Sequence, residues 1–390
     1  MVQLLIVIIY ISFISLGLPD ALLGSAWPVM YSEMNVPISY AGILSMIIAG
    51  CTIFSSLLSG RMVRKAGTGV VTVISVGMTA VALFGFSISP SFLFLCIWAI
   101  PYGLGAGAID AALNNFVALH YKARHMNWLH CFWGLGATLG PYIMGASLTG
   151  NLGWQHGYRF ISLIQILLTA ILVLSLPLWK KQVDQTKEEQ SEMPTFRIKE
   201  ILRLPCAWQT LIAFFFYCSL EQVTGLWGSS YMVLKKGITP ETAASLISLF
   251  YLGITGGRFL SGLLTININT KNLIRLGQGI AGFGVVLLFI SQNTILISVG
   301  YLLIGLGCAP IFPSLLHQTP ERFGKNASQS MMGVQMACAY VGSTFSPITI
   351  GFLTQKLGIT WYPLFLLVFI GGMIYLIESC NYKQVRRTGD

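Results

Sequence analysis

Three carboxylates stand where so apolar a chain has little reason to keep one. Asp20 lies in the first long apolar stretch, in Asp20-Ala-Leu-Leu-Gly24. Glu221 holds the corresponding place in the seventh, in Glu221-Gln-Val-Thr-Gly225. Asp110 sits in the fourth, with Asn114 one helical turn on and Asn115 beside it. A charge at the centre of a membrane helix costs about 2.5–3.5 kcal/mol on insertion scales. Acids kept there touch a solute, an ion or a proton. Desolvation favours the neutral form of a carboxyl that has no cation beside it, and loading and releasing a proton is what proton coupling needs. The nearest basic residue, Arg258, falls toward the cytoplasmic end of the eighth stretch, away from mid-membrane. Asp20 and Asp110 are the candidate proton-coupling residues, and Glu221 the candidate acceptor of hydrogen bonds from a solute.

Other side chains suit a polar solute. Gln222, Asn114, Asn115, Gln165, Gln318 and Gln335 carry amides, His130 an imidazole, and Trp27, Trp133 and Trp227 indoles. Amides bind hydroxyls through paired donors and acceptors, and aromatic rings stack on the apolar face of a sugar. Each of these residues also has a plain reading as packing or as a bond between helices. The eight cysteines are scattered singly, with no C-x-x-C pair, so they read as small packing residues. Neither a disulfide framework, a metal site nor a cofactor is expected.

These groups must be held by membrane helices. Charged residues make up 9% of the 390-residue chain against 55% hydrophobic, with a mean hydropathy of +0.73; a soluble domain carries about 25% charged residues. Twelve apolar stretches reach the length that crosses a bilayer, about 20 residues. They lie near 4–31, 39–60, 69–89, 91–119, 127–150, 158–179, 207–234, 241–265, 271–291, 294–317, 327–355 and 359–380. Backbone in lipid must satisfy its own hydrogen bonds, so they are read as helices. The expected fold is all-α, with twelve transmembrane helices in two six-helix bundles. The first stretch lacks a basic leader and exceeds a signal peptide's apolar core, so it reads as a retained helix.

Lys and Arg gather in alternate loops: Arg61, Arg64 and Lys65, then Lys122 and Arg124, then the run from Lys180 to Arg203. The positive-inside rule then puts both termini in the cytoplasm, in a multi-pass protein of the cell membrane. The net charge of +10 is this bias, and implies no nucleic-acid partner. Residues 180–205 are the long polar stretch and read as a cytoplasmic linker between an N-terminal bundle, 1–179, and a C-terminal bundle with a short tail, 206–390.

The bundles read as parallel repeats. Gly136-x-Thr138-x-x-Pro141-x-x-x-Gly145 matches Gly342-x-Thr344-x-x-Pro347-x-x-x-Gly351 at an offset of 206. Gly103-Leu-Gly105 matches Gly305-Leu-Gly307, and Ser59-Gly60 matches Ser261-Gly262, both at 202. Asp20 and Glu221 are 201 apart, while Asp110 finds Phe312 as its counterpart. Repeats of six helices with a site near the midplane are a transporter architecture. Gly103-x-Gly-x-Gly107 lies inside an apolar stretch with no strand before it, so it is not a nucleotide loop; small residues there let helices approach closely.

This arrangement, with Gly60-Arg-Met-Val-Arg-Lys-Ala-Gly67 after the second stretch, resembles the major facilitator superfamily over the whole chain. The loop lacks the acidic residue usual there. Within the superfamily the chain is similar to the fucose permease and glucose/mannose proton symporter branch. That likeness rests on Gly103-Leu-Gly-Ala-Gly-Ala-Ile-Asp110, Leu220-Glu221, Gly256-Gly-Arg258-Phe-Leu-Ser-Gly262 and Leu303-Ile-Gly-Leu-Gly-Cys-Ala-Pro-Ile-Phe-Pro313. The resemblance implies an acid in the fourth helix that handles protons and sugar, matched by Asp110, and an acid in the first, matched by Asp20. The expected function is symport of a small polar solute, a sugar, with protons, by alternating access in a monomer whose other partners are membrane lipids. The competing reading is a proton-driven exporter of drugs or metabolites. Isolated central acids speak against an enzyme.

Overall fold

The computed structural model describes residues 2–121, 123–150, 152–183, 198–264 and 268–388. Most of the expected linker lies outside them. Among the described residues every regular element is a helix. In order these are α1 (Val2–Asp20), α2 (Leu22–Glu33), α3 (Tyr40–Ala66), α4 (Thr68–Ser87), α5 (Phe92–His120), α6 (Ala123–Thr149), α7 (Trp154–Val183) and α8 (Ile198–Arg203). Then follow α9 (Ala207–Lys236), α10 (Pro240–Leu264), α11 (Thr270–Ile290), α12 (Thr294–Cys308), α13 (Ile311–His317), α14 (Thr319–Phe323), α15 (Lys325–Leu357) and α16 (Tyr362–Thr388). Ten spans among the described residues are long and apolar enough to cross a membrane, α1–α2 and α12–α14 each counting as one. Two further helices, α6 and α9, are as long but carry more polar side chains.

By contact density the chain forms two compact units. One joins Met1–Glu189 to Gly228–Tyr251; the other joins Gln190–Trp227 to Leu252–Asp390. In the first, α1 packs on α6, and α5 lies between α3 and α4. Its core includes Ile9, Phe13, Leu113, Phe116 and Leu172. In the second, α11 packs on α12 and α16.

Glycine sets how closely these helices approach. A Cβ on Gly136 would come 2.0 Å from the carbonyl oxygen of Ile14, so α6 rides directly on the backbone of α1. In the other unit a Cβ on Gly342 would come 2.5 Å from the carbonyl oxygen of Phe215. Ile14 and Phe215 are 201 residues apart, like Asp20 and Glu221. Gly105 meets the carbonyl of Ser75 and Gly307 that of Gly277, each pair again 202 apart. The matched glycines thus make matched contacts in the two units.

Two stretches that read as single helices are interrupted. The first breaks at Ala21, just after Pro19 and Asp20. Proline has no N–H, so Pro19 leaves the carbonyl of Ser15, four residues back, without its helical donor. Gln165 on α7 supplies one from its Nε2. The tenth stretch breaks at Ala309-Pro310, and again before α14. Outside the helices, Gly67 and Gly324 adopt φ +81° between consecutive helices, a conformation that side-chain-bearing residues rarely take.

Candidate functional site

Asp20 is the sole exposed residue between Ser12 and Pro28. The helix break places it, and two aromatic residues hold it. Tyr102 on α5 donates its hydroxyl to Oδ1 at 3.0 Å, and Trp133 on α6 donates Nε1 to Oδ2 at 2.8 Å. Each oxygen of the carboxylate therefore has its own neutral donor. Tyr102 is 6% exposed and edge-on to Phe86, so its hydroxyl is well fixed. Asp110 lies in the same unit, within electrostatic range of Asp20. Its Oδ1 accepts from Asn114 Nδ2 at 2.8 Å, and the same amide reaches the backbone oxygen of Asp110 at 3.0 Å. The one-turn spacing read from the sequence is therefore a real contact. Asn115 is exposed, turned about 100° around the helix from Asn114.

Glu221 belongs to the other unit, and here the structure corrects the expectation that no cation reaches an acid. Arg258 Nη2 lies 4.0 Å from Glu221 Oε1, with side-chain exposures of 19% and 15%. The depth of a Cα is a poor guide to the depth of a guanidinium on a long flexible stem. Gly257, next to Arg258, packs at the break in the tenth stretch; a Cβ there would come 2.6 Å from the Cβ of Ala309. That close fit brings α10, α9 and the Cys308–Pro310 break together around the pair. At 4.0 Å the pair is at the limit of an ion pair, and both side chains are partly accessible. Gln222 is exposed, on a different side of α9 from Glu221.

The remaining candidates divide by what their polar atoms do. Three donate to backbone, though Gln165 keeps a buried Oε1 without a partner. Trp27 donates to Ile38 O at 2.8 Å, Trp227 donates to Pro347 O at 3.0 Å, and Gln165 donates to Ser15 O. His130 lies edge-on to Phe13. Gln335 accepts from Thr319 Oγ1 at 3.1 Å, but its Nε2 is buried without a partner. Gln318 is 2% exposed, and neither amide atom has a partner. Tyr217, one turn before Glu221 on α9, has a buried hydroxyl in the same condition. Buried polar groups are rarely left so. Sequence reasoning missed Tyr102 and Tyr217, because tyrosine in an apolar stretch reads first as packing. Among the described residues no group of three or more His, Cys, Asp or Glu is placed to hold a metal.

The Major Facilitator Superfamily pattern matches residues 9–264 and 222–382. The chain belongs to the Major Facilitator Superfamily. Superfamily relatives include sugar transporters. The human sodium-dependent glucose transporter 1 is 23% identical over 390 residues, covering 88% of this chain and 72% of its own. The glucose/mannose transporter GlcP of Bacillus subtilis is 21% identical over 314 residues, covering 79% and 77%. Among solved structures, that of a mutant of the nucleoside transporter NupG superposes with a TM-score of 0.78 at 13% identity. It covers 96% of this chain and 98% of that one. The chain is a multi-pass membrane transporter of this superfamily, similar to its sugar-permease branch, and not an enzyme.

Proposed function

We propose that this transporter moves a small polar solute, a sugar, together with protons, the acids of the first unit handling the proton and the second unit holding the solute. The observation that carries the reading is the contrast in partners. Asp20 and Asp110 are bonded by neutral donors, Tyr102, Trp133 and Asn114. Glu221 instead stands beside a guanidinium, one helical turn from the buried hydroxyl of Tyr217, which lacks a partner.

Neutral partners let a carboxyl change protonation without stranding a cation. Indole N–H only donates, whereas a phenol both donates and accepts. A proton arriving on Asp20 therefore goes to Oδ1, where Tyr102 can turn from donor to acceptor, while Trp133 keeps its bond to Oδ2. Glu221, Gln318 and Gln335 take the solute's hydroxyls, and Arg258 adds donors beside Glu221. The names of the two sugar-transporting relatives favour a sugar. A relative from Staphylococcus haemolyticus named a probable nitrate transporter, 22% identical over 372 residues, makes an anion on Arg258 the competing solute.

All twelve long helices cross the membrane in this reading, with the bundles 1–179 and 206–390 related as parallel repeats, both termini cytoplasmic and the protein a monomer. Transport proceeds by alternating access in this reading. A thermal-shift screen of the purified protein against D-glucose, D-mannose, L-fucose, uridine and nitrate tests the solute class. Stabilisation by a sugar supports the reading, and stabilisation by nitrate alone contradicts it.

A further inference from the structure

A cavity of about 260 Å³ lies wholly in the second unit at the junction of α9, α15 and α16. Phe215, Ile350 and Phe369 line it together with Phe345, Thr349, Leu353 and Val368. Ser346, also in the wall, is bonded to Ser219 Oγ at 2.5 Å, so its hydroxyl is not on offer to a guest. The other wall hydroxyl, on Thr349, donates to the carbonyl oxygen of Phe345 at 2.8 Å, so a solute rich in hydroxyls finds little here. A cavity of about 150 Å³ lined by apolar side chains takes benzene, so this one takes a longer piece of hydrocarbon.

The cavity opens sideways. Its rim residues Phe345 and Val368 are 53% and 57% exposed, while Ile350 and Phe369 at its floor are buried. Both rim helices have spans of membrane-crossing length and composition, Met331–Leu357 and Ile359–Tyr382. The opening therefore faces lipid. Thr349, Leu353 and Lys356 follow one another at helical spacing along α15, so exposed Lys356 stands one turn, about 4.5 Å, beyond the end of the cavity on the same side. Trp361, 47% exposed, marks the same level at the start of α16. Lysine and tryptophan at the end of a span sit at the headgroup layer.

The geometry points to a phospholipid site: one acyl chain enters between α15 and α16 against Phe215, and the phosphate meets Lys356. The occupant is a bilayer phospholipid because apolar cavity, lateral opening and interfacial cation are aligned along one helix. The cavity wall includes Phe215, less than two turns from Glu221 on α9, so an ordered chain there braces the helix that carries the proposed solute acceptor.

The test uses the full chain in nanodiscs containing a phosphatidylglycerol with a photoactivatable diazirine midway along one acyl chain, followed by peptide mapping. Adducts should concentrate on residues 345–353 and 365–369, several-fold above those at other exposed apolar positions such as Leu93 and Leu174. Val368→Trp, which fills the opening, should reduce them several-fold. Lys356→Glu should also reduce them, with an unchanged thermal unfolding midpoint. Labelling spread evenly over the lipid-facing helices, or wild-type labelling in both variants, would overturn the site.

Discussion

Arg258 Nη2 stands 4.0 Å from Glu221 Oε1, whereas the carboxylate of Asp20 is held by Tyr102 and Trp133. The two acids occupy corresponding positions, 201 residues apart, yet one faces a cation and the other two neutral donors. A guanidinium can only donate, whereas the phenol of Tyr102 can donate or accept and so can stay bonded to a carboxyl that gains a proton. The proposed division of labour between units follows from this difference.

Glu221→Gln keeps the shape and removes the charge. It should weaken D-glucose binding, measured by titration calorimetry, about tenfold, which corresponds to ~1.4 kcal/mol. Arg258→Gln should weaken it less, because the acceptor remains. Equal affinity in wild type and Glu221→Gln would remove Glu221 from the solute site.

Tyr102→Phe deletes the one partner of Asp20 able to accept as well as donate. Proton-driven accumulation of D-glucose in vesicles should fall, with counterflow at equal pH less affected. Trp133→Phe should instead reduce both, because it frees the carboxylate from its fixed donor. Unchanged accumulation in Tyr102→Phe would contradict a proton on Oδ1.

Gly136→Val and Gly342→Val should each lower the thermal unfolding midpoint, followed by fluorescence in detergent. The added atoms would meet backbone oxygens at 2.0 and 2.5 Å, where no side chain can yield. Gly50→Ala, with nothing within 4 Å of the new Cβ, is the control and should stay at wild-type stability. A midpoint that does not move in either valine variant would show that these helix contacts are not tight.

Gly145 makes a different contact. A Cβ there would lie 2.1 Å from Ser245 Oγ and 3.0 Å from the carbonyl of Glu241, so α6 meets the start of α10 at a point that only glycine permits. If this contact closes one side of the transport path, Gly145→Val should keep D-glucose binding while counterflow drops several-fold. Full counterflow would rule out that closing role.

The helices were legible because apolar runs depend on local sequence. Gly136 and Gly342 turned out to make equivalent contacts, which explains why those glycines recur. The interruptions at Ala21 and Ala309-Pro310 were not legible. A proline does not by itself end a membrane helix, and the group that takes over the carbonyl freed by Pro19, Gln165 Nε2 on Ser15 O, lies 150 residues away in sequence. The pairing of Arg258 with Glu221 was hidden for a similar reason, since side-chain reach decides it. Tyr102 carries a weak signal in hindsight: it directly precedes Gly103-Leu-Gly105, where close helix packing fixes side chains in place.

The most direct measurement is the lumenal pH of proteoliposomes carrying a trapped pH dye, on adding D-glucose outside with no imposed gradient. Proton symport predicts that the lumen acidifies with wild-type protein. Asp110→Asn should abolish this signal while labelled D-glucose counterflow persists, because asparagine preserves the shape but cannot titrate. Alkalinisation of the lumen, or acidification that survives in Asp110→Asn, would contradict the account.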